Sequence, residues 1–287
     1  TPRKQRGSGM TRILVTGAKG MLGQDLCPML DQNGFEVIPS DYQEMDITDL
    51  KQVESFIDTN TPGMIIHCAA YTNVDKAEED KDNAFLINEK GSENLAKISG
   101  EKSIPIIAIS TDYVFDGTAN KPYTPEDKTN PINVYGASKL AGELAIRKYN
   151  PMHYIARTSW LYGIHGKNFV KTMLSLAEKL PQLKVVNDQV GCPTWTVALS
   201  YGILNLIRQE MPYGIYHLCG SGYTSWHGFA EKIFELSNID KTVTPCSTEE
   251  FPRPASRPKY SVMDNKGMLP AWEDSLKNYL QLRNMTK

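Results

Sequence analysis

The sequence predicts an α/β protein built on a doubly wound parallel sheet, with a smaller lobe formed by its C-terminal part. Two observations lead to this fold class. Short apolar, β-branched segments alternate with amphipathic helical segments over the first 158 residues, which is the pattern of parallel strands joined by helices. A glycine-rich turn directly follows the first apolar segment, as it does where a strand leads into a phosphate-binding helix.

The alternation places the individual elements. Strands are expected at 12–16, 35–39, 63–68, 104–110 and 153–158, and helices near 21–32, 49–60, 82–99 and 131–149. Beyond about residue 158 the pattern loosens, and further helices are expected at 167–179, 195–210, 226–237 and 273–283. The polar stretch 117–131 is expected to be a long loop, and loops of that length are often functional.

These elements divide the chain into parts. Residues 10–158 are expected to form a Rossmann-type dinucleotide-binding domain, and residues 159–287 mainly a substrate-binding lobe. A segment at about 184–217 is expected to return to the Rossmann sheet. Residues 1–9 are basic, contain glycine and lack periodicity, so we interpret them as an expression-tag remnant and leave them out of the fold prediction.

The composition argues against several classes of protein. A net charge of −2 over 287 residues, without a basic stripe, disfavours nucleic-acid binding. No apolar stretch approaches the ~20 residues of a membrane span. The five cysteines and five histidines lack the spacing of metal ligands, so the sequence predicts no metal site and reduced thiols in the cytoplasm.

The glycine-rich turn comprises Gly17, Gly20 and Gly23, between an apolar strand and a predicted helix. Gly17 permits the tight turn, Gly20 lets the backbone approach a pyrophosphate, and Gly23 allows the helix to pack closely on the strand. The helix N-terminus then offers amide donors and the positive end of its dipole to phosphates. The spacing differs from the common G-x-G-x-x-G fingerprint, and a tight turn without a ligand is the alternative.

Tyr135 and Lys139 lie four residues apart in a predicted helix, so both side chains project from one face. A free phenol has a pKa of about 10 and holds its proton at neutral pH. Because a neighbouring ammonium favours the phenolate, we expect Lys139 to lower the pKa of Tyr135 and tune it as a general acid or base. An isolated pair with this spacing is more often a surface pair.

Several segments together resemble the extended short-chain dehydrogenase/reductases, which act largely on nucleotide sugars. The glycine turn and the Tyr135/Lys139 pair are joined by His67-Cys68-Ala69-Ala70, by Asp46-Ile47 and by Ser110-Thr111-Asp112-Tyr113-Val114-Phe115-Asp116-Gly117. Within that superfamily the chain is most similar to the dTDP-4-dehydrorhamnose reductases, through the runs at 69–78, 157–163 and 187–194. The resemblance covers nearly everything from Met10 onward.

The resemblance implies NAD(P)H-dependent reduction of the C4 ketone of dTDP-4-dehydro-L-rhamnose to dTDP-L-rhamnose, a precursor of bacterial surface polysaccharides. Tyr135 would donate the proton, Lys139 would also hydrogen-bond the nicotinamide ribose, and Thr111 would donate to the substrate carbonyl. The cofactor-binding residues would be Gly17, Lys19, Gly20, Met21, Leu22, Asp46, Ile47, Ala69, Ala70, Tyr71, Thr72, Tyr135 and Lys139. The substrate-binding residues would be Thr111, Asp112, Trp160, Asn168, Gln189 and Arg257, with Trp160 against the sugar and the last three at the nucleotide or diphosphate.

The form of the cofactor depends on two residues. Asp41, at the end of the second strand, favours NADH because a carboxylate there accepts from the ribose 2′-hydroxyl. Lys19, inside the glycine turn, favours NADPH if it faces a 2′-phosphate. The resemblance implies NADPH, with NADH as the alternative. Some members of the family bind Mg²⁺ through an acid after the turn Pro193-Thr194, where this chain has Trp195. No required metal is therefore expected, and monomer and homodimer both stay open.

Other functions on the same fold are weighed against these residues. A dehydratase would pair Thr111 with a following Asp-Glu couple, whereas here Asp112 is followed by Tyr113. A nucleotide-sugar epimerase that holds NAD tightly stays open. A non-catalytic, dinucleotide-binding regulatory subunit is disfavoured because Thr111, Tyr135 and Lys139 are all present.

Overall fold

The computed structural model describes residues 10–286, so the expected tag remnant at 1–9 lies outside the described residues. The strands are β1 Arg12–Thr16, β2 Glu36–Ser40, β3 Met64–His67, β4 Ile106–Thr111, β5 His153–Thr158, β6 Leu161–Tyr162, β7 Leu183–Val186, β8 Val190–Gly191, β9 Thr194–Trp195, β10 Gly214–His217, β11 Thr224–Ser225 and β12 Val243–Cys246. The helices are α1 Met21–Gln32, α2 Leu50–Asn60, α3 Lys81–Phe85, α4 Ser92–Glu101, α5 Val134–Tyr149, α6 Phe169–Lys179, α7 Thr196–Arg208, α8 Trp226–Leu236 and α9 Trp272–Met285.

Six of these strands form one parallel sheet in the order β2-β1-β3-β4-β5-β10. Strand β1 pairs with β2 on one side and with β3 on the other, so the direction of winding reverses between β1 and β3. In open α/β sheets a crevice forms at such a point, outside the carboxyl ends of the strands. The predicted doubly wound parallel sheet is confirmed.

Helices cover the sheet on both faces. Ile13 and Val15 of β1 belong to a core shared with α1 and α7, whereas Leu14 between them belongs to a core shared with α2, α4 and α5. This alternation follows from the period of two in a strand. Burying each such side chain contributes about 1.5–3 kcal/mol, so both helical layers hold the strand ends in place.

Helix α5 begins at Val134 rather than near 131, because Asn133 caps it. The Asn133 side chain accepts a hydrogen bond from the Gly136 amide at 2.7 Å. A Cβ on Gly136 would lie 2.1 Å from the carbonyl oxygen of Tyr113, so glycine is required for this close approach. The cap therefore places Tyr135 in the first turn of α5, against the segment that follows β4.

The predicted helix at 82–99 is a continuous helical segment with a π-helical turn at Leu86–Gly91 between α3 and α4. The turn carries Asn88, whose Oδ1 accepts from the Tyr71 amide at 2.8 Å. Its Nδ2 donates to the Tyr71 carbonyl oxygen and to Ser138 Oγ, at 3.0 and 2.9 Å. Asn88 thus joins the loop after β3 to helix α5.

The C-terminal lobe has its own core, formed mainly by α6, α8, α9, β7 and β12. The stretch 184–217 is expected to return to the sheet. Within it, helix α7 packs on α1, and strand β10 joins the sheet beside β5. Strand β7 instead pairs with β12. The reason is that Leu183 and Val185 are buried in the core of the lobe.

The long loop at 117–131 contains no helix, and its one isolated bridge joins Tyr123 to Met263. The Tyr123 amide donates to the Val262 carbonyl oxygen at 2.8 Å, so the loop is held against the C-terminal segment, while the Tyr123 ring stacks on Phe115 with a centroid distance of 4.2 Å. Among residues 10–286, no helix has the length and apolar character needed to cross a membrane.

Candidate active site

A cavity of about 940 Å³ opens at the carboxyl ends of the central strands. Thr16 ends β1 and Ser40 ends β2; Cys68 to Ala70 follow β3, and Thr111 and Thr158 end β4 and β5. All of them line the cavity. The site therefore lies where the winding of the sheet reverses, as the fold requires.

The glycine turn forms one end of this cavity. Gly17 has φ +64°, and a Cβ there would lie 2.7 Å from the Ala69 amide nitrogen. A Cβ on Gly23 would lie 2.4 Å from the Gly17 carbonyl oxygen. Gly20 is the N-cap residue of α1, and no side-chain hydrogen bond caps the helix. The amide groups of its first turn are therefore left to receive an anion. The geometry fits a diphosphate.

Three buried hydroxyl groups in the cavity wall support the presence of a polar ligand. Within residues 10–286, the side-chain oxygens of Ser40, Ser110 and Thr158 are buried and have no hydrogen-bond partner. All three residues line the cavity. Because buried polar groups are almost always paired, they indicate a ligand with several hydrogen-bonding groups, as a dinucleotide has.

The end of the cavity beside β2 carries acidic groups. Asp41 lines the cavity, and its Oδ2 accepts a hydrogen bond from the Lys19 amide at 2.9 Å. The Lys19 ammonium is 3.9 Å from Glu44 Oε1, with 70% of its side chain exposed, and Lys19 is not one of the lining residues. Asp46 and Ile47 do line the cavity, as do Ala69, Ala70 and Thr72.

Thr111, Tyr135 and Lys139 all line the cavity. Thr111 Oγ1 accepts from the Tyr113 amide at 3.1 Å and hydrogen-bonds Asp112 Oδ1 at 3.2 Å. Tyr135 lies in the same wall, in the first turn of α5. One helical turn beyond Tyr135, Lys139 Nζ donates to the Ile109 carbonyl oxygen at 2.7 Å.

The electrostatics of the tyrosine differ from the expectation. Burial, and then the carboxylate of Asp112, raise the pKa of Tyr135 to about 12. Burial lowers the pKa of Lys139 to about 8. The expectation that Lys139 lowers the pKa of Tyr135 is wrong for the protein chain itself, because desolvation of the phenolate outweighs an ammonium that is directed at a backbone carbonyl.

Asp112 is a buried carboxyl group beside this pair, with 3% of its surface exposed. Its Oδ2 accepts from Ser261 Oγ at 2.6 Å, and its Oδ1 contacts Thr111. Burial raises the pKa of Asp112 to about 7, against the opposing effect of the Ser261 and Thr111 hydrogen bonds. Ser261 comes from the distant C-terminal segment, and no local pattern predicts that it reaches the site.

His67 is a structural residue beneath the cavity. Its Nδ1 lies 2.7 Å from Thr16 Oγ1, and its Nε2 lies 3.1 Å from Ser92 Oγ. Burial lowers the pKa of His67 to about 3, so the ring stays neutral. Thr16 Oγ1 accepts from the amides of Cys68 and Ala69, and the histidine therefore fixes the loop that follows β3.

Trp160 and Trp226 form a stacked pair in the cavity wall, with ring centroids 3.5 Å apart and planes inclined by 6°. Trp160 has φ +49°, and its ring lies against Gly191, where a Cβ would come within 2.6 Å. Sequence reasoning selected Trp160 but missed Trp226, which is 66 residues away in sequence. Only tertiary folding brings them together.

Besides Lys19, four residues expected at the ligands are not among the described residues that line the cavity. Asn168 caps α6, accepting from the Lys171 amide at 3.1 Å and donating to the Gly163 carbonyl oxygen at 2.8 Å. Gln189 binds the Trp226 indole nitrogen at 3.2 Å. The Tyr71 hydroxyl donates to Asp80 at 3.1 Å. The fourth residue is Arg257.

Arg257 forms an ion pair with Asp75, with Nη1 2.8 Å from Oδ1. Arg253 Nε donates to the same carboxylate at 2.8 Å. Although partial burial opposes it, hydrogen bonds led by that from Arg257 lower the pKa of Asp75 to about 2. The guanidinium expected at a phosphate therefore joins the C-terminal segment to the loop after β3.

Within residues 10–286, no group of three or more His, Cys, Asp or Glu side chains is arranged to hold a metal ion. The turn at Pro193-Thr194 is followed by Trp195, whose ring packs edge-on against Tyr279.

Comparison with known proteins identifies the family. The family model described as "RmlD substrate binding domain" matches residues 10–284. The chain belongs to this family. The chain is 41% identical to the spore coat polysaccharide biosynthesis protein SpsK of Bacillus subtilis (96% of this chain and 99% of the relative are covered). It is 38% identical to a dTDP-4-dehydrorhamnose reductase of Aggregatibacter actinomycetemcomitans (94% and 98% covered).

A solved structure agrees with this RmlD-family assignment. The dTDP-4-dehydrorhamnose reductase of Bacillus anthracis, determined in complex with NADP, is 41% identical and superposes with a TM-score of 0.92. The match covers 96% of this chain and 100% of the solved chain. The resemblance inferred from the sequence motifs is therefore confirmed, since the similarity extends over nearly the full length of both chains.

Proposed function

We propose that this chain reduces the C4 ketone of dTDP-4-dehydro-L-rhamnose to the hydroxyl of dTDP-L-rhamnose, with NADPH as reductant. The observation that carries the proposal is the meeting of Thr111, Tyr135 and Lys139 in one cavity wall, at the end of β4 and in the first two turns of α5. Membership of a family with named dTDP-4-dehydrorhamnose reductases supports it. Five unpaired cysteines fit an enzyme of the cytoplasm.

The cofactor would lie along the carboxyl ends of the strands. We assign its diphosphate to the first turn of α1 and to Gly17, where the backbone approaches without a Cβ. Asp46 and Ile47 are placed at the adenine end, and Lys139 at the nicotinamide ribose. NADPH, when bound, supplies the hydride; the residues of the chain hold it in place and manage the proton.

Tyr135 is assigned as the proton donor to the oxygen that becomes the hydroxyl group. A pKa raised to about 12 keeps the phenol protonated at every physiological pH, so the acid form is always present. Such a phenol is still far more acidic than the alcohol that forms. Lys139, with a pKa of about 8, is mainly an ammonium at neutral pH, and we assign it to hold the nicotinamide ribose.

The sugar is assigned to the space between the Tyr135/Lys139 pair and the two tryptophans, Trp160 and Trp226. Trp160 presents an apolar face to sugar C–H groups, and Trp226 supports its ring from behind. Arg257 is kept as the candidate for the diphosphate of the substrate, and this role requires that the guanidinium exchange Asp75 for phosphate oxygens. Asn168 and Gln189 act indirectly, by shaping the lobe and by holding Trp226.

The test follows NADPH absorbance with a panel of dTDP-4-keto-6-deoxysugars and identifies each product by NMR. We expect one NADPH to be oxidised per dTDP-L-rhamnose formed, and turnover by Tyr135→Phe to be lower by about 10²- to 10⁴-fold. A nucleotide-sugar epimerase would convert substrate without net oxidation of cofactor. Absence of NADPH consumption with every sugar of the panel would refute the proposal.

A further inference from the structure

The segment between β6 and α6, residues 163–168, brings the C-terminal lobe against the first residue of α1. A Cβ on Gly166 would lie 3.5 Å from Met21 Cβ, and Asn168 Nδ2 lies 3.9 Å from Met21 Sδ. Lys167 stands between these two residues in sequence. Its backbone is therefore placed at the N-terminal end of α1, where the proposed function assigns the diphosphate of the cofactor.

The backbone around Lys167 is held in place by side chains of the lobe. Lys171 Nζ donates to the Gly166 carbonyl oxygen at 3.0 Å, and Asn168 Nδ2 donates to the Gly163 carbonyl oxygen at 2.8 Å. Gly166 has φ +79°, in the left-handed region that glycine enters without a steric penalty. A ligand that binds Lys167 therefore has to order one side chain rather than a whole loop.

Lys167 carries an unpaired positive charge at the cavity. Within residues 10–286, the basic side chains that line the cavity are those of Lys139 and Lys167. The Lys139 ammonium already donates to the Ile109 carbonyl oxygen at 2.7 Å. The Lys167 side chain is exposed and forms no hydrogen bond or ion pair with the described residues. Its ammonium is therefore free to bind an anionic ligand.

The charge of the cavity wall makes such a cation necessary for a dinucleotide. The carboxyl groups of Asp41, Asp46 and Asp112 line the same cavity, so a diphosphate with two negative charges would enter beside acidic side chains. The N-terminus of α1 offers only about half an elementary charge in compensation. A lysine ammonium adds a full positive charge and strong donors for phosphate oxygens.

We propose that Lys167 binds the diphosphate of the nicotinamide dinucleotide, together with the first turn of α1. The inference rests on the proposed function for the position of the cofactor. The three buried hydroxyl groups without partners in the same wall indicate independently that a polar ligand binds there. Because Lys167 leads into α6 of the lobe and Met21 begins α1, the bound diphosphate would link the lobe to the Rossmann sheet.

Three variants test the inference. Lys167→Met removes the charge and keeps an unbranched apolar stem, whereas Lys167→Arg keeps the charge. Lys179→Met is the matched control, because Lys179 is exposed at the end of α6 and lies outside the cavity lining. Calorimetry gives the Kd of each protein for NADPH, NADH and adenosine 2′-monophosphate at low and high salt. The thermal midpoint without ligand shows whether each variant is folded.

We expect Lys167→Met to raise the Kd for NADPH and for NADH about tenfold. The two increases should be equal because both dinucleotides carry the same diphosphate. The Kd for adenosine 2′-monophosphate, which lacks the diphosphate, should be unchanged. Lys179→Met should stay within about twofold of wild type. Lys167→Arg should keep most of the affinity, and the Kd of Lys167→Met should depend less on salt than that of wild type.

Three results would overturn the inference. An unchanged Kd for both dinucleotides in folded Lys167→Met would exclude the contact. A weaker affinity for NADPH and adenosine 2′-monophosphate alone would place Lys167 at the 2′-phosphate. A higher KM for the sugar with an unchanged Kd for NADPH would place it at the substrate.

The binding measurements require no turnover, so the inference and the proposed function can fail separately. If wild type bound both dinucleotides and Lys167→Met bound them about tenfold more weakly, the role of Lys167 would be supported. If the same wild-type protein reduced no sugar of the panel, only the proposed function would be refuted. Lys167 is assigned no part in proton transfer, so kcat at saturating NADPH should be retained in Lys167→Met.

Discussion

Trp226 lies directly behind Trp160, with 3.5 Å between ring centroids and an angle of 6° between the planes. The Trp226 indole is fixed in turn by Gln189, whose Oε1 accepts from Nε1 at 3.2 Å and whose Nε2 donates to Thr248 at 3.0 Å. Trp160 is held in a left-handed backbone conformation that costs about 1–3 kcal/mol in a residue other than glycine. The stack compensates for that strain and fixes the orientation of the ring.

Trp226→Leu should therefore weaken sugar binding without affecting the proton donor. An aromatic pair contributes about 0.5–1.5 kcal/mol beyond its buried area, so KM for the sugar should rise about 2- to 10-fold with kcat nearly unchanged. Tyr201→Ala, an exposed change on α7, is the control for general loss of fold. A fall in kcat with constant KM would contradict a supporting role for Trp226.

Tyr135→Phe should remove the proton donor and leave the fold intact. General acid catalysis contributes about 10²- to 10⁴-fold, so kcat should fall by that factor while the affinity for NADPH, measured by fluorescence, is retained. Tyr149→Phe is a matched control in the same helix, outside the cavity lining. Equal activity of Tyr135→Phe and Tyr149→Phe would exclude the assigned role.

The parts of this structure that were predictable depend on local pattern. Gly17 to Gly23, and the face shared by Tyr135 and Lys139, follow from strand and helix periodicity, and the structure places them in one cavity. Ser261 and Trp226 reach the site through long-range packing, for which a single sequence carries no signal. Arg257 has the chemistry of a phosphate ligand, but whether Asp75 neutralises it depends on how two distant loops meet.

The same limit applies to the pKa of Tyr135. Spacing shows that Lys139 is near, but it does not show the depth of burial or the position of Asp112. Desolvation by the surrounding walls, and the carboxyl group, determine the direction of the shift. The spacing therefore predicts the proposed proton donor but the wrong direction for the shift of its pKa.

Lys139→Met should change how stability depends on pH. Burial lowers the pKa of Lys139 from 10.5 to about 8, so between these values the unfolded chain binds more protons than the folded one. Stability from this group therefore rises with pH across that window. The free energy of unfolding of wild type, relative to Lys139→Met, should increase from pH 8 to about pH 10. Lys148→Met, on the exposed side of α5, is the control and should show no such dependence on pH. If wild type and Lys139→Met differed by the same free energy of unfolding at every pH, the Lys139 ammonium would be solvated rather than buried.

Arg157→Met should destabilise the fold strongly because it isolates a buried carboxylate. Arg157 Nε and Nη2 each donate to a Glu143 oxygen at 2.8 Å, and the two side chains are only 2% and 3% exposed. Breaking such a pair costs about 3–5 kcal/mol, measurable by urea unfolding. Removing both charges should restore part of the loss. Lys232→Ala, which breaks an exposed pair with Glu235, should cost less than about 1 kcal/mol.

Asp41→Asn should shift the cofactor preference further toward NADPH. The Asp41 carboxylate lines the cavity beside β2, and a 2′-phosphate there would meet its negative charge. A like charge at about 4 Å costs about 1 kcal/mol even in water, so the ratio of kcat/KM for NADPH over NADH should rise about fivefold or more. The amide can no longer repel a phosphate, and it still accepts from the Lys19 backbone.

Lys19→Ala is the companion to this variant. The Lys19 ammonium is largely exposed and lies 3.9 Å from Glu44 Oε1. Its attraction for a phosphate is therefore screened by solvent and partly cancelled by the negative charge of Glu44. The NADPH to NADH ratio should fall by less than the Asp41→Asn change raises it. If Lys19→Ala instead abolished NADPH use while Asp41→Asn had no effect, then the lysine would bind the phosphate directly and must turn away from Glu44 to do so.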